Sequence, residues 1–117
     1  MNTPTARAFA DKAHDATARL IEVGEQWADL DASASLFEEL RKSVLGKLVL
    51  DFIADGMPAG KAEHAAYASR EYQEHIREMV EARRKATRAR VRWDTGRAHV
   101  DLMRSAESTK RAEMALR

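Results

Sequence analysis

From Ala65 to the C-terminus the chain keeps a single apolar period. One core column reads Ala65, Tyr72, Met79, Ala86, Trp93 and Val100, and three residues on a second reads Ala68, His75, Ala82, Ala89, Gly96 and Met103. Apolar residues repeating at this spacing over so many heptads describe one side of a coiled-coil helix. The pattern predicts one helix over residues 61–115, about 85 Å long on the α-helical rise. Such a rod outruns any compact domain this chain could form. Something must cover it, or it protrudes.

Asp94-Thr95-Gly96 is the one place where the rod could break, since a mid-helix glycine costs about 1 kcal/mol against alanine. The heptad phase nevertheless passes through unchanged, from Trp93 to Val100 and from Arg90 to Arg97. A turn would normally reset it, so continuity is expected. The seam fails at Glu107 and Lys110, and the last turns are expected to fray.

The first half predicts two further helices. Thr3 before Pro4 has the form of a helix start, and Phe9, Ala13, Ala16, Leu20, Val23, Trp27 and Leu30 follow at helical spacing. Helix 1 is placed at residues 4–30. Asp31-Ala-Ser-Ala-Ser35 is rich in capping residues, and Ser35 with Glu38 resembles a capping box, so helix 2 is placed at 35–55. It is apolar around more than half its circumference, from Leu36 to Ile53, which predicts the most buried element. A strand over Val44–Ile53 is the rival; no second strand exists to pair with it. Gly56 supplies a left-handed stop, with Pro58 and Gly60 completing the turn.

These elements describe an all-α fold in which an N-terminal helical hairpin packs on the first part, roughly residues 61–85, of one very long C-terminal helix. Beyond that, Ala86, Ala89, Trp93, Gly96, Val100 and Met103 are left as an uncovered apolar stripe, which predicts a coiled-coil-like homo-oligomer. Parallel and antiparallel pairing both remain open.

Charge supplies the second constraint. The net charge is +1, yet residues 1–82 carry 9 basic against 15 acidic groups, and residues 83–117 carry 11 against 4. Arg83, Arg90, Arg97, Arg104 and Arg111 recur every seven residues beside the small column, and Arg83-Arg84-Lys85-Ala-Thr-Arg88-Ala-Arg90-Val-Arg92 holds six cations and no acid. Arginine's planar fork suits phosphate, and a rod presenting several such groups suits a nucleic-acid backbone. The rival reading is equally physical. Arginines at the edge of a seam pair with acids on a neighbouring helix, of this chain, of a second copy or of an acidic protein partner.

Other chemistries find less support. Glu71, His75 and Glu78 share a helical face, as do Asp11 and His14, but His75 falls on the seam, where a hydrogen-bonded core histidine is expected. No metal site is assigned, and no cofactor. There is no phosphate-cradling glycine loop, no nucleophile elbow and no cysteine, so no catalytic residue is assigned either. The lack of cysteine suits a reducing compartment, and neither a signal-peptide core nor an apolar run of membrane-spanning length is present. A cytoplasmic, membrane-free protein is expected.

Residues 71–117 open with Glu71-Tyr72, carry Val80-Glu81-Ala82-Arg83 and close with Thr109-Lys110-Arg111-Ala112-Glu113-Met114. This segment resembles the C-terminal half of small helical proteins encoded by bacteriophages and prophages. The resemblance implies an accessory protein, with DNA recombination or replication as a setting, and carries over no catalytic residue.

The expected function is therefore a non-enzymatic, oligomeric accessory factor. Arg83, Arg84, Lys85, Arg88, Arg90, Arg92, Arg97 and Arg104 are the candidate contacts to DNA or RNA phosphates. The alternative is a protein-interaction module, a phage structural or anti-defence protein, using the same stripe against an acidic protein surface.

Overall fold

A computed structural model describes residues 4–116, which form α1 (Pro4–Ala54), α2 (Ala59–Ala68) and α3 (Arg70–Ala115). No strand occurs among the described residues, and none of their helices is long and apolar enough to cross a membrane. The Thr3 cap and the side chain of Phe9 lie outside the described residues. The helices pack as two units, one of residues 1–27 with 88–117 and one of residues 28–87.

The expected hairpin of helices at 4–30 and 35–55 is replaced by one unbroken helix, α1. Asp31-Ala-Ser-Ala-Ser35 holds capping residues but neither glycine nor proline. Ala34 is fully buried there, and the Ser35 hydroxyl accepts from Arg83 Nη2 at 3.4 Å instead of capping a new helix. The small residues mark a close helix contact, not a turn.

The real reversal follows Ala54. Gly56 has φ +97°, its N–H donates to the Ile53 carbonyl at 2.9 Å, and the Met57 N–H donates to the Phe52 carbonyl at 3.1 Å. That pair of bonds is a Schellman stop, which requires a left-handed residue and so favours glycine. Pro58, extended at ψ 145°, then leads into α2, accepting from the Ala62 N–H at 2.9 Å.

The helix expected to run unbroken from residue 61 is interrupted at Ser69. This residue is extended (ψ 150°); its hydroxyl accepts from the Tyr72 N–H at 3.2 Å and donates to the Ala66 carbonyl at 2.7 Å. One side chain thus ends α2 and starts α3, the local bonding by which serine competes with helix continuation. From Arg70 onward the expected continuity holds, and α3 passes through Gly96 without a break.

In the unit of residues 28–87, α1 lies antiparallel to α2 and the first part of α3. Ala34, Ala62, Ala66, Tyr72 and Ala86 are buried. Phe37 stacks at a tilt on His75, ring centroids 5.6 Å apart, and His75 Nε2 donates to the Phe37 carbonyl at 2.8 Å. The segment from Leu36 to Ile53, expected to be the most buried, contains no fully buried residue, because only one of its two apolar sides meets α2 and α3.

In the unit of residues 1–27 and 88–117, Ala16, Ala89 and Val100 are buried, and Trp27 and Trp93 pack at 6.3 Å between ring centroids. Two glycines allow this approach. A Cβ at Gly24 would stand 2.7 Å from Trp93 Cζ3, and one at Gly96 would stand 2.9 Å from Leu20 Cδ1. The obstacle differs in kind: an indole ring moves as a rigid block, whereas the end of a leucine can swing aside.

The two glycines should therefore respond with opposite signs. Gly96→Ala gains helix propensity and is expected to stabilise by up to about 1 kcal/mol. Gly24→Ala overpacks against the indole and is expected to destabilise by about 1 kcal/mol net of the same propensity gain. Circular-dichroism melts of the two variants check this; equal shifts would contradict the packing described.

Candidate nucleic-acid interface

Arg83 is the best-fixed of the eight candidate contacts. Its Nη1 donates to Asp31 Oδ1 at 2.7 Å, its Nε to Glu38 Oε1 at 3.1 Å, and Nη2 adds the same Glu38 oxygen and Ser35 Oγ. Asp31 and Glu38 are seven residues apart, so they rise from one edge of α1 and grip the guanidinium from both sides. Its hydrogen bonds to Glu38, then to Asp31, raise its pKa above the ordinary arginine value. Arg83 is thus committed to a protein contact within the chain.

The others are held loosely or not at all. Arg84 pairs with Glu81 one turn back at 3.5 Å, and exposed Lys85 lies beside a groove lined by Ser33, Phe37, Glu78 and Glu81. Arg88, Arg90, Arg92, Arg97 and Arg104 are all exposed and form no ion pair among the described residues. Arg111, the last of the stripe, pairs with Glu107 on its own helix.

Register explains the difference. The α1 column that carries Asp31 and Glu38 continues toward the N-terminus as Gly24, Thr17 and Ala10. In an antiparallel pair, flanking positions of this kind meet their counterparts on the other helix. The contacts of Gly24 with Trp93 and of Leu20 with Gly96 fix that register in the unit of residues 1–27 and 88–117. Arg97 and Arg104 therefore run beside small neutral residues, and Thr17 satisfies its own hydroxyl by donating to the Ala13 carbonyl at 2.9 Å.

On the opposite edge of α3, Arg92 and His99 stand at seven-residue spacing, with Arg88 on the adjoining outer column. The corresponding α1 positions are Lys12, Arg19 and Gln26, again without an acid. Acids do lie near by: Asp94 and Asp101 on the outer side of α3, and Asp11, Asp15, Glu22 and Glu25 on α1. This unit carries 11 basic against 8 acidic groups, while residues 28–87 carry 9 against 11. The charge split of the sequence survives folding with its sign intact but reduced in size.

The six seam residues expected to join subunits are placed within the chain. Ala86, Ala89 and Val100 are buried, and Trp93, Gly96 and Met103 are half-buried. The reason is that α1, being unbroken, supplies its residues up to Trp27 to the part of α3 expected to overhang. His75 takes the hydrogen-bonded seam role described above. Sequence reasoning passed over Ser69 and the outer face of α1; the signals were a serine cap followed by Glu71 in the first turn, and more apolar residues than one face needs.

No protein-family model, no curated protein and no solved structure matches the chain.

Arg83 should stand apart from its stripe in stability measurements. Arg83→Ala is expected to cost up to about 1 kcal/mol at low salt, the range of a partly exposed ion-pair network, and less at 1 M salt. Arg97→Ala should fall within about 0.5 kcal/mol of wild type at either salt. Urea unfolding at the two ionic strengths makes the comparison.

Proposed function

We propose that the chain is a non-enzymatic helical accessory protein whose distal α3 contacts nucleic-acid phosphates. The observation that carries this reading is that Arg88, Arg90, Arg92, Arg97 and Arg104 are exposed on one unit and unpaired among the described residues, where the facing column of Gly24, Thr17 and Ala10 offers no acid. Unpaired arginines are free to displace the counterions of a phosphate backbone, and contacts of that kind do not read sequence. Trp93 takes no part, being packed on Trp27 and Gly24. Arg83 leaves the contact set, and Arg84 and Lys85 stay at its margin. The resemblance of residues 71–117 to bacteriophage and prophage proteins makes phage DNA recombination or replication a fitting setting.

One observation favours a second reading. Arg83 is answered by Asp31 and Glu38, so an acidic helix already satisfies one member of the stripe. An acidic protein partner could engage Arg90, Arg97 and Arg104 by the same geometry, as in a phage structural or anti-defence protein.

Fluorescence anisotropy with labelled single-stranded and duplex DNA, repeated across salt, tests the first reading. Binding should weaken along a straight log–log salt line. Changing Arg90, Arg97 and Arg104 together to alanine should reduce the slope by roughly 2 to 3, and Arg83→Ala should leave it unchanged. Absence of binding at low salt would move the arginines to an acidic protein partner.

A further inference from the structure

The outer side of α1 between Leu36 and Ala54 is apolar and bare. Leu36 is 56% exposed and Leu50 68%, with Leu40 and Ile53 also exposed on the same side. Three columns make up this face: Leu36, Ser43 and Leu50; Glu39, Gly46 and Ile53; and Leu40, Lys47 and Ala54. Glu39 and Lys47 are exposed and form no ion pair among the described residues, and eight residues of helix, about 12 Å, keep them from pairing with each other. A Cβ built at Gly46 meets no atom within 4 Å, so its missing side chain leaves an open notch. That notch borders a groove walled by Leu45, Val49, Leu50 and Ala59.

We infer that this face pairs with the same face of a second copy, antiparallel about a two-fold axis at Ser43. The pattern is self-complementary in that arrangement. Residues equally far from Ser43 on either side stand level across the axis, and each flanking column meets its own counterpart, so Leu36 faces the partner's Leu50, Glu39 reaches across the central column to the partner's Lys47, and Glu39 also lies beside the notch at the partner's Gly46. Each contact occurs twice, as a two-fold interface requires. Parallel pairing in register would set Glu39 against Glu39 and Lys47 against Lys47, and like charges in contact oppose it. A partner of other sequence would need no such agreement of charge and size within one helix. The pairing is independent of the phosphate reading, since it uses none of the arginines beyond Thr87.

Light scattering and sedimentation on the full chain without nucleic acid test it, so that failure here leaves the DNA titration unaffected. The expected wild-type species is a dimer at micromolar concentration. Glu39→Lys alone, or Lys47→Glu alone, should weaken dimerisation by about tenfold or more, and the two together should restore it to within about threefold. Gly46→Leu fills the notch and should also weaken the dimer, while circular dichroism shows helix content maintained, since the replacement favours helix and meets open space. A wild-type monomer at about 100 µM would overturn the inference, because association that weak is not a stable dimer. So would a dimer indifferent to the single reversals, or a double swap that fails to restore it.

Discussion

The close contact of α1 with α2 and α3 through alanine is the constraint on which the other features depend. Among the described residues eight apolar side chains are buried, six of them alanine, and no large one is completely enclosed. Alanine lets helix axes approach toward the short end of the usual 8–10 Å range. It also contributes little transfer free energy, since burying a methyl group gains only about 0.8 kcal/mol. Bulky residues such as Trp27, Trp93 and Phe37 therefore sit half-buried at the sides of the contact instead of inside it. Stability in such an arrangement accumulates along the helices and not in a central core. That is consistent with a 51-residue helix facing two others of 10 and 46 residues.

This economy decides what could be read from the sequence. The period of α3 was legible because Tyr72, Trp93 and Val100 alternate with small residues over many heptads, and Gly56 was legible because a left-handed stop has few substitutes. The stretch Asp31–Ser35 was misleading for the reason that makes the fold work. Alanine and serine at a close helix contact have the same composition as alanine and serine in a capped turn, and only the absence of glycine and proline separates the two. Ser69 shows the converse case. A single serine, with no breaker beside it, interrupts a helix because its hydroxyl serves both ends at once.

The arginine stripe illustrates why a regular motif need not have one role. Five arginines at seven-residue spacing are equivalent in sequence, but the column facing them is not uniform. Asp31 and Glu38 take up Arg83, while Gly24, Thr17 and Ala10 offer nothing to Arg97 and Arg104. Gly24 of that column also admits Trp93 to the helix contact, so packing and electrostatics share one cause there. An acid at position 24 would meet the indole; the close approach and the unpaired charge come together. The sequence alone displayed the stripe but not its division, because that division is set by register between residues 45 to 76 positions apart.

The apolar surplus of α1 follows from the same geometry. A helix apolar over more than half its circumference is ordinarily enclosed on both sides, and here α2 and α3 enclose one. Nothing in the chain requires Leu36, Leu40, Leu50 and Ile53 for its own helix contact, and exposed leucines of this number carry an aggregation cost. The polar residues set among them are informative for that reason. Glu39 and Lys47 stand in the two flanking columns of the face, one on each side of the Leu36–Ser43–Leu50 line and interleaved with Ile53 and Leu40. Placed four residues either side of Ser43, they limit which surfaces the face can accept and favour one that repeats the same charges in reverse.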